Sequence, residues 1–152
     1  MEENPVTRAS ISEALKKKFT HAQAKAMSPL ALAYIGDGIF SDTVRKYLIG
    51  CGQQDVNFMT KASISYVRAS AQAQIIHALI PELTEDELRI VKRGRNTHSQ
   101  VPKNASASDY CYATGFEALL GYLYLSGEPL RLEALMIKGI AVIKSANPKF
   151  EG

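Results

Sequence analysis

Apolar residues recur along this chain at intervals of three and four, the spacing that gathers side chains on one face of an α-helix. The first long stretch runs from Leu30 through Tyr34-Ile35 to Tyr47-Leu48-Ile49, between Ser28-Pro29 and Gly50. A hydroxyl residue followed by proline suits a helix start, because proline lacks only an N–H that the first turn leaves unbonded. Asp55 stands where it can cap a second helix carrying Phe58, Met59, Ala62 and Tyr66. Helical pattern resumes over Ala71-Gln72-Ala73-Gln74-Ile75-Ile76 and stops at Pro81. Thr84-Glu85-Asp86-Glu87 has the form of a capping box opening a short helix to about Arg93. Ser106-x-x-Asp109 has the same form, ahead of a strongly apolar helix that reaches Leu125 and breaks at Gly127-Glu128-Pro129. A last helix puts Leu132, Leu135, Met136, Ile140 and Ile143 on one face.

Between these, Gly94 to Ala105 has no periodicity and reads as an exposed loop. Ala14 to Phe19 suggests one more helix, loosely attached. No segment alternates apolar and polar residues between hairpin turns, so the predicted fold class is all-α. The organisation predicted is an extension over 1–27, one domain over 28–146 and a tail over 147–152.

Composition adds limits. At 152 residues, 46% hydrophobic and 22% charged, the chain is long enough for one substantial core and has the make-up of a soluble globular protein. No apolar run approaches membrane length, and the acidic start Met1-Glu2-Glu3 is unlike a signal peptide. The expected location is cytoplasmic, with no membrane partner. Cys51 and Cys111 have no metal-site spacing and read as ordinary thiols. The net charge of +3 is uninformative, but its distribution is not. Arg89, Lys92, Arg93, Arg95 and Lys103 fall in one acid-free segment, followed from Asn104 to Pro129 by a base-free one holding Asp109, Glu117 and Glu128. That layout suits a protein that grips phosphates beside a metal, and is also compatible with ordinary solvated surface.

The candidate chemistry lies in two isolated acids. Asp37 is the only charge between Leu30 and Phe40, and Glu117 the only one between Ala113 and Leu125. A lone carboxylate on an apolar helix costs free energy unless something compensates it. Asp37 is flanked by Gly36 and Gly38, with Ala33 and Ser41 one turn away on its own face; Glu117 has Ala113 and Gly121 in the same relation. Small-residue stripes let helices approach closely. Two of them facing each other would bring both acids to one point, where a hard divalent cation such as Mg²⁺ could neutralise them. The alternative is that each acid pairs with a base or faces water.

Leu30-Ala-Leu-Ala-Tyr-Ile-Gly-Asp37 resembles the signature helix of ribonuclease III catalytic domains, and Phe116-Glu117-Ala-Leu-Leu-Gly121 their second acidic helix. Lys92-Arg93-Gly94-Arg95-Asn96 and Pro102-Lys103-Asn104 resemble the basic helix end and loop of that family's mini branch. The likeness runs over about Ser28 to Ala146. It implies a ribonuclease III-type helical bundle acting as a homodimer, in which Asp37 and Glu117 hold Mg²⁺, with Mn²⁺ able to substitute. The activity implied is endonucleolytic hydrolysis of double-stranded RNA to 5′-phosphates, in maturation of the 23S ribosomal RNA precursor, with a ribosomal protein as a compatible helper. Lys92, Arg93, Arg95, Asn96, Lys103 and Asn104 are the expected RNA contacts. Lys16 to Lys18 could touch RNA or form a solvated face, and His98 lies in the basic loop; His21 and His77 read as incidental.

Two positions depart from the full-length enzymes. Their glutamate four residues before the signature aspartate is Ala33 here, and their aspartate three residues before the second glutamate is Thr114; the mini branch shares both losses. Asp42 and Asp109 read as poor substitutes. The rival reading is a catalytically silent RNA-binding or ribosome-assembly factor on the same fold, against which the presence of both Asp37 and Glu117 weighs.

Overall fold

The computed structural model of the chain describes residues 10–97 and 106–147. Among these residues there are eight α-helices, one 3₁₀ turn and no strand: α1 (Ile11–Lys16), α2 (His21–Ala26), α3 (Pro29–Gly50), α4 (Val56–Val67), α5 (Ala69–Leu79), the turn Ile80–Glu82, α6 (Glu85–Arg95), α7 (Ala107–Leu125) and α8 (Pro129–Ala146).

The ends follow the punctuation in the sequence. Asp55 accepts from the N–H groups of Asn57 and Phe58, Ser106 accepts from that of Asp109, and Thr84 and Glu87 close the capping box of α6. Ser28 is the exception. It precedes Pro29 at the first helical position, yet its side chain makes no capping bond, so proline alone marks that start. α6 also runs past the expected end at Arg93 and takes in Gly94 and Arg95.

α7 is the axis of the bundle. Every residue from Ala113 to Leu123 is buried except Glu117. α3 packs antiparallel along it, with Phe40 and Phe116 edge to face at 5.1 Å between ring centres. The closeness of that crossing is set by glycine. A Cβ on Gly36 would lie 1.8 Å from the carbonyl oxygen of Glu117, and one on Gly121 would lie 1.9 Å from that of Leu32. α6 meets α7 through a second glycine contact, where a Cβ on Gly94 would come 2.9 Å from the Cα of Gly115. α8 closes the far side, burying Leu132, Leu135, Met136, Ile140 and Ile143 as its spacing predicts.

Among the described residues, two short helices precede α3. α1 buries nothing. α2 is docked: Ala24 is fully buried, Lys25 pairs with Asp86 at 2.8 Å, and His21 pairs with Glu128 at 2.9 Å. Glu87, buried at the foot of α6, is gripped by both Arg131 nitrogens, Nε at 2.9 Å and Nη2 at 2.8 Å. Burial alone would raise its pKa, but Arg131 and the Thr84 cap hold it below the ordinary value.

A candidate two-carboxylate active site

The α3–α7 crossing that Gly36 and Gly121 permit carries both isolated acids. Asp37 follows Gly36 on α3 and is exposed; Glu117 on α7 is largely enclosed. Their carboxyl groups lie within hydrogen-bonding reach of each other. None of the ion pairs among the described residues includes either acid, so no base compensates them there.

The electrostatic consequence falls on Glu117. Burial, then the hydrogen bond and charge of Asp37, push its pKa up to about 8, against a smaller opposing effect from the Gln72 amide. Two adjacent carboxyl groups, one of them largely enclosed, make a donor set that suits a hard divalent cation. Among the described residues no third His, Cys, Asp or Glu joins the pair into a larger cluster.

The two family positions that lack acids here are closed to that role. Ala33 is buried, and buried Thr114 donates its hydroxyl to the carbonyl of Tyr110 at 3.0 Å within its own helix. Asp42, expected on a different face of α3, lines one groove with Asp37, Tyr34, Gly38, Ile39 and Tyr124.

The expected RNA contacts separate into three sets. Lys92 is exposed on the last turn of α6, Arg95 lies over the ring of Tyr112 at 5.7 Å, and Asn96 ends the helix. Lys103 and Asn104, with His98 and Pro102, lie outside the described residues. Arg93 departs from the expectation: its guanidinium donates to the carbonyls of Lys25 and of Met27, the latter at 3.1 Å, tying α6 to the α2–α3 connection. A partly buried guanidinium held on two main-chain carbonyls is not free to follow a phosphate. Gly94 was read as part of the loop and is instead a buried helical contact.

Sequence reasoning passed over Gln72 and Tyr34. Gln72 is buried, with its amide donating to the carbonyl of Val67, but stands among alanines in a segment whose pattern marks only a helix. Tyr34 is 85% exposed one turn before Asp37, and its apolar neighbours in sequence disguise it as core.

Comparison with known proteins agrees with this geometry. The sequence profile of the Ribonuclease III domain matches residues 30–128. The chain is 45% identical to the Mini-ribonuclease 3 of Thermoanaerobacter sp. (strain X514) over 78% of this chain and 84% of that protein. It is 45% identical to the Mini-ribonuclease 3 of Clostridium tetani over 80% of this chain and 82% of that one. A crystal structure of a Fusobacterium nucleatum protein, 28% identical, superposes with a TM-score of 0.71 over 76% of this chain and 93% of its own. By sequence and by fold, the chain belongs to the ribonuclease III family of endoribonucleases, in its Mini-ribonuclease 3 branch.

Proposed function

We propose that this chain is a Mg²⁺-dependent endonuclease of double-stranded RNA that works as a homodimer and matures the 23S ribosomal RNA precursor. The observation that carries the reading is the meeting of Asp37 and Glu117 without a basic partner. Two such carboxylates repel each other in a partly enclosed site, and a hard divalent ion relieves both the repulsion and the burial cost. The donor set therefore fits Mg²⁺, and Mn²⁺, which shares the oxygen preference, can substitute. When bound, the ion lowers the pKa of water and offsets charge on the phosphate under attack.

The chain's own residues divide the remaining work. Glu117, largely enclosed on α7, supplies an inner oxygen, while exposed Asp37 opens onto the groove that would receive the backbone. With only two protein carboxylates, coordination positions stay open to water and phosphate oxygens. Lys92, Arg95, Asn96, Lys103 and Asn104 grip the duplex. A-form RNA presents phosphates and 2′-hydroxyls rather than major-groove base edges, and bases and amides suit those groups.

The homodimer is supported by the apolar residues at the rim of that groove. Tyr34 at 85%, Leu30 at 42% and Tyr124 at 53% are exposed large apolar side chains, and Tyr34 and Tyr124 line the groove with Asp37, an arrangement suited to a second copy. A two-fold dimer across it sets two identical sites in antiparallel sense, matching the two strands of a duplex.

The test is a labelled RNA duplex incubated with the protein, with and without Mg²⁺. The expected result is metal-dependent cutting of both strands to 5′-phosphates and short 3′ overhangs, and cleavage of a 23S precursor stem. Duplex RNA that is bound and left intact at all Mg²⁺ concentrations contradicts the reading in favour of a silent binding module.

A further inference from the structure

We infer that Tyr112 is a positioning residue for Arg95, holding its guanidinium ready for the RNA backbone. The inference rests on the place given above to Arg95 in the duplex grip. Three helices converge on this tyrosine. α6 lies close against α7 because Gly94 meets Gly115, and a Cβ on Gly115 would come 2.7 Å from the carbonyl oxygen of Val91. Arg95 follows Gly94, and Tyr112 precedes Gly115 by three residues, on the same side of α7. The glycine contact therefore sets the Arg95 guanidinium over the Tyr112 ring, 5.7 Å from its centre. From α5, the ring of His77 packs on the same tyrosine at 4.3 Å between centres, tilted by 49°. The half-buried ring is thus held between two neighbouring helices.

Contact with a ring occupies the flat face of a guanidinium and spares its N–H edge. Nε of Arg95 donates to Oδ1 of Asn96 at 3.1 Å. No ion pair among the described residues includes Arg95, so its terminal N–H fork suits a phosphate. An arginine free in solvent loses many rotamers when it grips a phosphate. One already laid on a ring loses fewer, and binds more tightly for it. Tyr112 also packs against the core, a task that leucine would share. Only an aromatic ring adds the negative face that attracts a cation.

The test measures binding of a labelled RNA duplex, without Mg²⁺ so that the duplex stays intact. The variants are Tyr112→Phe, Tyr112→Leu, Arg95→Ala and the last two combined. Tyr112→Phe keeps the ring and should bind as wild type. Tyr112→Leu should weaken binding about two- to fivefold, the usual worth of such a contact at a partly exposed site. Its salt dependence should keep the wild-type slope, because the charge is still present, whereas Arg95→Ala flattens that slope. Adding Tyr112→Leu to Arg95→Ala should weaken binding no further, as for two residues acting through one group. In the unaltered protein without RNA, the Arg95 δ-protons should resonate upfield, shielded by the ring, a readout that needs no variant to fold. Wild-type binding by Tyr112→Leu beside a weakened Arg95→Ala overturns the assignment. So do a Tyr112→Phe as weak as Tyr112→Leu, additive losses in the double variant, or unshielded Arg95 δ-protons. Arg95→Ala with wild-type affinity and salt slope removes Arg95 from the duplex grip itself, and this inference with it.

Discussion

A Cβ on Gly36 would stand 1.8 Å from the carbonyl oxygen of Glu117, whereas one on Gly38 would meet nothing within 4 Å. Two glycines either side of Asp37 therefore have opposite roles. Gly36→Ala must push α3 away from α7 and should destabilise by about 2–3 kcal/mol despite alanine's better helix propensity. Gly38→Ala meets no obstacle and should stabilise by about 0.5–1 kcal/mol. Urea unfolding of both variants checks the pair. Equal effects of the same sign would mean the crossing is looser than described.

Glu117 sets a pH dependence. Its pKa rises from 4.5 to about 8 in the folded, metal-free protein, so the folded state binds more protons than the unfolded one between those values. The stability that the neutral acid allows is complete below about pH 4.5 and is lost as pH climbs toward 8. Glu117→Gln removes this loss. Metal-free wild type should fall by a few kcal/mol relative to Glu117→Gln between pH 5 and 8 (about 1.4 kcal/mol per pH unit at most), and Mg²⁺ should restore wild type only. Parallel stability curves for the two proteins would contradict a largely enclosed, proton-holding Glu117.

Arg93 and its basic neighbours should separate experimentally. Arg93→Ala frees one carbonyl in the last turn of α2 and one in the α2–α3 connection and should cost about 1.5–3 kcal/mol, with faster proteolysis near Lys25. Replacing Lys92, Arg95 and Lys103 by alanine should leave stability nearly unchanged and flatten the salt dependence of duplex binding, each lost phosphate contact taking about one unit from the log–log slope. If Arg93→Ala instead flattens the salt slope without affecting stability, its guanidinium serves RNA rather than the fold.

Tyr34 tests the assembly. A glutamate there puts charge into the apolar face beside Asp37, with 85% of the tyrosine exposed in the single chain. Tyr34→Glu should be monomeric by light scattering, retain its helical content, and lose coupled cutting of the two strands. A Tyr34→Glu dimer would place the interface on another face.

Much of this was legible because helices announce themselves locally. Pro29, Asp55, Thr84 and Ser106 each mark a start through a main-chain bond they make or spare. Asp37 and Glu117 stood out as charges without company in apolar runs. What escaped was pairwise and distant in sequence. Gly36 stood out only as a flank of Asp37 and is a contact with Glu117. Arg93 looked like its basic neighbours until two carbonyls sixty-odd residues away in sequence were seen to claim it.

The central claim is that Asp37 and Glu117 act as one metal-holding pair, and the most direct measurement is single-turnover cleavage of duplex RNA by Asp37→Asn across Mg²⁺ concentrations. The account requires cleavage to fall by at least about a thousandfold, while duplex affinity and the circular dichroism of the helices match wild type. Cleavage near the wild-type rate at any Mg²⁺ concentration would contradict it.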